Sequence, residues 1–243
     1  MRKGRSSGFR AVMHHQCRRL TADAIRAFED LDPTPAFRRR FESAWGYITH
    51  ILRIEKLTRT IRTDGEPVRL LDFGCGWGKF IAACREFGFD AIGVDRSSPR
   101  AEGSAIRIFS SLDEIRGLSR FHAITLFEVL EHLDEPGAIL RTLAERVVPG
   151  GLLILETPDC SGVTAIESRR DYLKIHPLEH INAFTHRTLT SIAERHGFSL
   201  IQRGSAHVTT EDYRAAKQAV KRFLGRDGRS TQLYFERSPA FTK

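Results

Sequence analysis

Between Leu70 and Phe80 the chain reads LLDFGCGWGKF, and few folds accommodate that order of residues. Val68, Leu70, Leu71 and Phe73 make an apolar run of strand length, and Gly74, Gly76 and Gly78 follow at alternate positions. Phe80, Ile81, Cys84 and Phe87 then recur at helical spacing, with Gly88 as a C-terminal stop. The pattern predicts a buried strand, a glycine turn and a helix. Glycine in such a turn tolerates positive φ and lets a ligand approach the backbone without meeting a Cβ. Asp72 stands near the end of the strand, where a carboxylate suits a cationic group such as an amine. The next strand, Phe89 to Val94, runs into Asp95, an acid placed to accept hydrogen bonds from a ribose diol.

The glycines read G-x-G-x-G, with Lys79 where a nicotinamide-binding fingerprint needs its third glycine. Beyond them the chain alternates strand and helix, the order of a parallel sheet covered on both faces. Arg96 to Gly103 holds SSPR as a helix start, and Ala105 to Phe109 is a short third strand. Ser110 and Ser111 follow it, ahead of a helix around Asp113 to Gly117 that either serine can cap. Phe121 to Phe127 is a fourth strand, leading into EVLEHLDEP. There Asp134 can cap a helix, Pro136 suits its first turn, and Ile139, Leu140, Leu143 and Val147 form its inner face. Pro149, Gly150 and Gly151 end that helix, and Leu152 to Leu155 begins the fifth strand. Thr185 caps a further helix that stops at Gly197. Phe198 to Gln202 is the sixth strand, and Thr231 to Phe235 reads as a final one beyond a tail helix from Glu211 to Phe223.

Three blocks in this order, LLDFGCGWGKF, then FEVLEHLDEP with VPGGLLILETP, then HPLEHINAF, resemble the class I (Rossmann-like) S-adenosylmethionine-dependent methyltransferases. The likeness is greatest to the small-molecule branch that includes ubiquinone-biosynthesis O-methyltransferases, and it covers residues 68–204 nearly continuously. The resemblance implies an α/β fold: a doubly wound, mostly parallel seven-stranded sheet with an antiparallel final strand, plus an N-terminal helical extension. It implies S-adenosylmethionine as cofactor. Asp72, Gly74, Cys75 and Gly76 would hold its amino-acid end, with Asp95 at the ribose and Arg96 a further cofactor-binding residue. Ser111 and Leu112 would lie against adenine, and Phe127, Glu128 and Val129 along the methionine end. Glu131 and His132 usually belong to the structure of the turn in that branch.

Residues 158–184 form a long insertion between the fifth strand and the Thr185 helix, and they read as an acceptor-facing lid. A hydroxyl acceptor must lose a proton, and histidine titrates in the right range. His180 is the first candidate for that base, His176 the second and His132 the third; each can equally serve as a structural hydrogen-bonding group. No His/Cys/Asp cluster has the sequence spacing of a catechol-type Mg²⁺ site, so metal independence is expected.

Charge divides the chain in two. Residues 1–63 hold 14 Lys+Arg against 6 Asp+Glu, while the rest holds 24 of each. The expected organisation is a basic helical extension over 1–64, with 1–19 loose, followed by a methyltransferase domain over 65–243. Leu20 to Leu31 reads as a short helix, and Phe37 to Ile61 as a longer one. The aromatics Phe37, Phe41, Trp45 and Tyr47 can cover the cofactor or pack on the sheet. The basic leader suits nucleic acid, an anionic surface or plain solvation. The N-terminus lacks the apolar segment of a secretory signal, no apolar run reaches membrane-spanning length, and four scattered cysteines fit a reduced cytoplasmic protein. The leading expectation is methylation of a small molecule, with oxygen the favoured acceptor atom. RNA or protein as acceptor, and a binding protein that kept the fold without turnover, are the alternatives. Oligomeric state is not readable from these features.

Overall fold

Successive residues of a strand point to opposite faces of its sheet, and this chain fills both faces with apolar side chains. The computed structural model describes residues 47–48, 50–96, 106–201 and 230–238. Its strands are β1 (Arg69–Phe73), β2 (Asp90–Val94), β3 (Ile108–Phe109), β4 (Phe121–Phe127), β5 (Val147–Pro158), β6 (Phe198–Leu200) and β7 (Ser230–Arg237). Its helices are α1 (residues 50–58), α2 (Lys79–Glu86), α3 (Pro136–Ala144), α4 (Arg169–Ile175) and α5 (His186–Arg195). The sheet has seven strands in the order β3-β2-β1-β4-β5-β7-β6. β1 to β5 pair in parallel, and β7 runs antiparallel to both β5 and β6. This is the doubly wound sheet with a reversed final strand that the motifs imply.

On one face Leu70, Ala91, Ala123, Leu152 and Ile154 pack against Ile51 and Ile54 of α1 and Phe80, Ile81 and Cys84 of α2. On the other, Leu71, Ile92, Ile124, Leu153 and Leu155 pack against Leu140 and Leu143 of α3 and Leu189 and Ala193 of α5. Near-continuous apolar strands are what a sheet covered on both sides demands. Strand order reverses at β1, whose neighbours are β2 and β4. In open α/β sheets, ligands bind outside the carboxyl ends of the strands at such a reversal.

Several boundaries differ from expectation. α3 stops at Ala144, and β5 begins at Val147, which pairs with Phe121 across a register shift in β4. Pro149, Gly150 and Gly151 therefore lie inside the strand, and Val147 is a strand residue. The irregular pairing tolerates what a regular central strand would not. The N-cap of α3 is Glu135 and not Asp134, and no side chain caps it, although Pro136 does open the helix. Leu112–Ile115 forms a 3-10 turn in place of a helix at 113–117. Its N-cap, Ser111, makes no capping bond, while Ser110 Oγ donates to Glu114. α5 is capped as expected: Thr185 and Thr188 bond reciprocally, side chain to backbone. The helix start at SSPR, the tail helix, the Leu20–Leu31 helix, Phe37, Phe41 and Trp45 lie outside the described residues.

Gly93 has a packing reason that the sequence does not advertise. A Cβ built there would come within 2.4 Å of Cys75 Sγ and 2.5 Å of Ile81 Cδ1. Gly93→Ala is expected to destabilise the fold by about 1–3 kcal/mol, the usual range for overpacking a filled core. A chemical-denaturation midpoint equal to wild type would show that β2 and the glycine turn are less tightly joined than described.

Candidate functional site

The turn after β1 is shaped by glycine at two levels. Gly74 has φ +76°, and a Cβ there would lie 2.3 Å from Val129 Cγ2. Its N–H donates to the Val94 carbonyl at 2.7 Å, tying the turn to the end of β2. Gly76 has φ +50° and open space where a Cβ would stand. Its N–H donates to Asp95 Oδ2 at 2.8 Å. The first glycine is thus required by close packing, and the second leaves bare backbone facing outward.

A cavity of about 230 Å³ opens beside this turn. Asp72 lines it from β1, Gly74, Cys75 and Trp77 from the turn, Lys79 and Phe80 from the start of α2, Phe127 from the end of β4, and Tyr47 from the N-terminal segment. Of the expected cofactor residues, Asp72, Gly74, Cys75 and Phe127 line the cavity directly. Gly76, Asp95 and Val129 build the turn that walls it. Ser111 and Leu112 sit after β3, and Glu128 follows Phe127 at the rim. Arg96 lies beside Asp95, at the last described residue before 106. Tyr47 realises one member of the aromatic stripe, with its ring 5.4 Å from that of Phe80. Trp77, 72% exposed at the mouth, lies in the motif itself but carried no expectation.

Asp72 is the chemical centre of this cavity. Only 4% of it is exposed, and its Oδ1 accepts a 2.7 Å hydrogen bond from Thr125 Oγ1. Burial pushes its carboxyl up to about 7, and the charge of Asp95 adds to the rise, against the Thr125 hydrogen bond. A buried carboxylate with one donor suits a cation that would restore its charged form.

A buried network supports the wall from beneath. His50, on α1, places Nδ1 2.5 Å from the Tyr234 hydroxyl and Nε2 3.5 Å from Glu156 Oε2. Its ring lies 4.6 Å from that of Phe127. Nothing in the local sequence marks His50 and Tyr234 as partners, since 184 positions separate them.

The second cluster lies one turn beyond β4. Glu128 has φ +54°, unusual for a side chain larger than glycine. Its carboxyl is pushed up to about 7 by burial and by the charges of Glu131 and Glu156. Glu131 is 1% exposed, and its carboxyl lies beside that of Glu128. Burial pushes it to about 7 as well. Its carbonyl accepts the N–H groups of Ile181 and Asn182 at 2.8 and 3.0 Å, which pins residues 180–182 of the insertion to this turn. The three candidate bases come together here. The His132 and His180 rings are 4.8 Å apart, and those of His176 and His180 are 5.3 Å apart. Burial lowers the His180 pKa, and the neighbouring His132 adds to that. The ligand-capable atoms of Glu131, His132 and His180 all lie within 4.8 Å of one another. Spacing along the chain could not reveal this, because the insertion folds back over 48 positions to complete it.

A methyltransferase-domain family profile matches residues 13–203. The ubiquinone biosynthesis O-methyltransferase of Caulobacter sp. (strain K31) is 34% identical over 108 residues, 40% of this chain and 43% of that protein. The enzyme of the same name from Xanthomonas oryzae pv. oryzae is 31% identical over 108 residues, covering 40% and 45%. The chain therefore spans less than half the length of these curated relatives. Among solved structures, a sarcosine dimethylglycine methyltransferase, so described provisionally, from Galdieria sulphuraria superposes with TM-score 0.55. It is 14% identical, and the match covers 83% of this chain and 88% of that one. A 1,6-didemethyltoxoflavin-N1-methyltransferase from Burkholderia thailandensis, solved with S-adenosylhomocysteine, gives 0.52 at 17% identity, covering 83% and 87%. At such identities these neighbours speak for the fold alone.

The Asp72 carboxyl is expected to titrate near pH 7 when followed by carbon NMR. Asp95→Asn, which removes the adjacent negative charge, should move that titration down. The raised value means that the native state holds the proton more tightly than the unfolded chain. Asp72's contribution to stability should therefore fall as pH rises from about 4 to 7. Asp72→Asn should flatten that slope; an unchanged slope in urea unfolding would contradict the burial described.

Proposed function

The chain belongs to the class I family of S-adenosylmethionine-dependent methyltransferases, and we propose that it methylates a small-molecule acceptor, at oxygen, releasing S-adenosylhomocysteine. The reading is carried by one observation. A buried carboxylate, Asp72, lines a cavity beside an open glycine backbone where the strand order reverses. The oxygen preference draws support from the two ubiquinone biosynthesis O-methyltransferases to which the chain is similar.

These residues fit the cofactor's chemistry. Its α-ammonium complements Asp72, and the exposed amide edge at Gly76 admits a close approach. Asp95, held by Gly76 N–H through Oδ2, would present its other oxygen to the ribose hydroxyls. Ser111 and Leu112 would flank the adenine, with Arg96 on the ribose side. Bound S-adenosylmethionine supplies a methyl group already activated by its sulfonium. The protein's part is then to align that methyl with the acceptor and exclude water. Phe80, Phe127 and Tyr47 supply the apolar wall for this. Phe127, Glu128 and Val129 would lie along the methionine end.

The acceptor's proton would leave toward the histidine cluster. His180 is the first group for this role, because its lowered pKa keeps the imidazole neutral and able to accept a proton at pH 7. His176 stands next to it and His132 beyond. The 158–184 insertion, pinned at Ile181 and Asn182, would shape the acceptor mouth.

Calorimetry with S-adenosylmethionine followed by turnover on a panel of phenols, sugars and catechols tests this reading. Binding with methyl transfer to a hydroxyl supports it. Binding with transfer to RNA or protein, or with no transfer to any acceptor, would overturn the acceptor assignment. Absence of binding would overturn the whole reading. Two quantitative outcomes are expected. Asp95→Ala should weaken cofactor affinity about tenfold or more through lost charge-assisted hydrogen bonds. Wild-type binding near pH 6.5 should release a proton, because an ammonium beside Asp72 returns its raised pKa toward the ordinary range. Calorimetry in buffers of different ionisation enthalpy reads that release, and Asp72→Asn should abolish it.

A further inference from the structure

We propose that the rings of Tyr47, Phe80 and Phe127 form a charge-reading wall, which holds the methyl-sulfonium cation of the donor more tightly than the neutral thioether that remains after transfer. The proposal rests on the cofactor reading above and adds to it which state of the cofactor this chain favours.

The three rings touch in series and line one cavity together with Asp72. The Tyr47 and Phe80 centroids are 5.4 Å apart, and Phe80 meets Phe127 at 5.1 Å in a T-shaped contact. His50, 4% exposed, braces Phe127 with its own ring 4.6 Å away, and its Nδ1 lies 2.5 Å from the Tyr234 hydroxyl. The wall is therefore built before any ligand arrives. An aromatic face carries the negative side of the ring's quadrupole and attracts a cation. In the donor, the sulfur stands four bonds from the ammonium nitrogen, about 5 Å at ordinary bond lengths. An ammonium at Asp72 thus keeps the sulfonium within the cavity that these rings line.

A merely apolar wall would favour the neutral thioether, because burying a cation without compensation is costly. The surroundings here supply compensation. Glu156 pairs with Phe127 across β4 and β5. Burial raises the Tyr47 pKa, and the negative charges of Asp72 and Glu156 raise it further. The phenol accordingly stays protonated, and its position lies in the field of two acids, which draws a cation. Lys79, also on the cavity lining, is exposed and keeps its charge in solvent. Methyl transfer then removes what the wall reads. The S–CH3 bond breaks toward the acceptor oxygen, its electron pair stays on sulfur, and the acceptor's proton leaves by the route described above. The thioether retains only apolar contacts with the rings, so product departs more easily than donor.

Calorimetry on the full chain would compare S-adenosylmethionine, S-adenosylhomocysteine and sinefungin, which bears a protonated amine on carbon in place of the methyl-sulfonium. Phe127→Leu and Tyr47→Leu are each expected to lower the ratio of S-adenosylmethionine to S-adenosylhomocysteine affinity by about three- to tenfold, the size of a cation–π contact. S-adenosylhomocysteine affinity itself should change little, sinefungin should follow the donor, and Phe127→Tyr should keep the wild-type ratio. Phenylalanine fluorinated in steps at position 127 preserves the ring's shape while draining its negative face, and the ratio should fall with each step. A leucine variant that fails to fold loses S-adenosylhomocysteine binding as well; the fluorinated series then carries the comparison. A ratio unmoved by fluorination, or an equal loss of both ligands in folded leucine variants, would overturn the wall and leave the cofactor reading standing. Binding of neither ligand to wild type would overturn that reading and the wall with it.

Discussion

The hydrogen bond from Gly74 N–H to the Val94 carbonyl controls the geometry of the site, because it fastens the turn after β1 to the end of β2. The close approach leaves no room for a Cβ at Gly74 against Val129. It also sets where Gly76 stands, and so which way its amide points toward Asp95. Gly93, one strand over, makes the matching concession by leaving space for Cys75 and Ile81. Glycines on two strands thus serve one junction. Remove either and the wall of the cavity moves, even though Gly93 touches no ligand position.

From that junction the site extends to both sides of the sheet. On the α1/α2 face, Asp72, Phe80, Phe127 and Tyr47 surround the cavity, with His50 and Tyr234 behind them. Beyond the end of β4, the backbone takes the positive φ of Glu128 and turns to place Glu131 and His132 under the insertion. Strain of this sort persists only where neighbouring contacts hold it. Here Glu128 N–H donates to the Glu156 carbonyl, and the Glu131 carbonyl receives two amides from the insertion. The β4 turn therefore joins the cavity beside Asp72 to the histidine cluster through a few residues of continuous backbone.

What was legible in the chain follows from how locally each feature is determined. The strand-turn-helix at 70–87 and the Thr185 cap depend on neighbours in sequence, and both were readable. The seven-stranded, mostly parallel sheet with its reversed final strand was implied by motif resemblance and not by local pattern. β5 was misjudged at its start, because Pro149-Gly150-Gly151 reads as a break, whereas the pairing of Val147 with Phe121 makes it strand. Asp72, Gly74, Cys75 and Phe127, expected together from their places at strand ends and in the glycine turn, do line one cavity. The His50–Tyr234 contact and the approach of His180 to Glu131 were not readable, since each joins positions far apart that no periodicity links. His132 and Glu131 looked like parts of a turn, and His132 Nδ1 and the Glu131 carbonyl do bond to residues 179, 181 and 182 of the insertion.

The carboxyl rim of this sheet gathers acids under conditions that disfavour their charge. Asp72, Glu128 and Glu131 are all pushed to about 7, in each case chiefly by burial. A fold gains nothing in stability from holding carboxyl groups in that state, since protonation or a cation must offset the lost hydration. Asp95 raises Asp72, and Glu156 raises both glutamates, so like charges deepen the cost where a structural role would call for a basic partner. An ammonium beside Asp72, such as the proposed cofactor carries, would relieve that cost on the cavity side of the β4 turn. Binding there would draw strength from removing a defined local penalty as well as from new contacts.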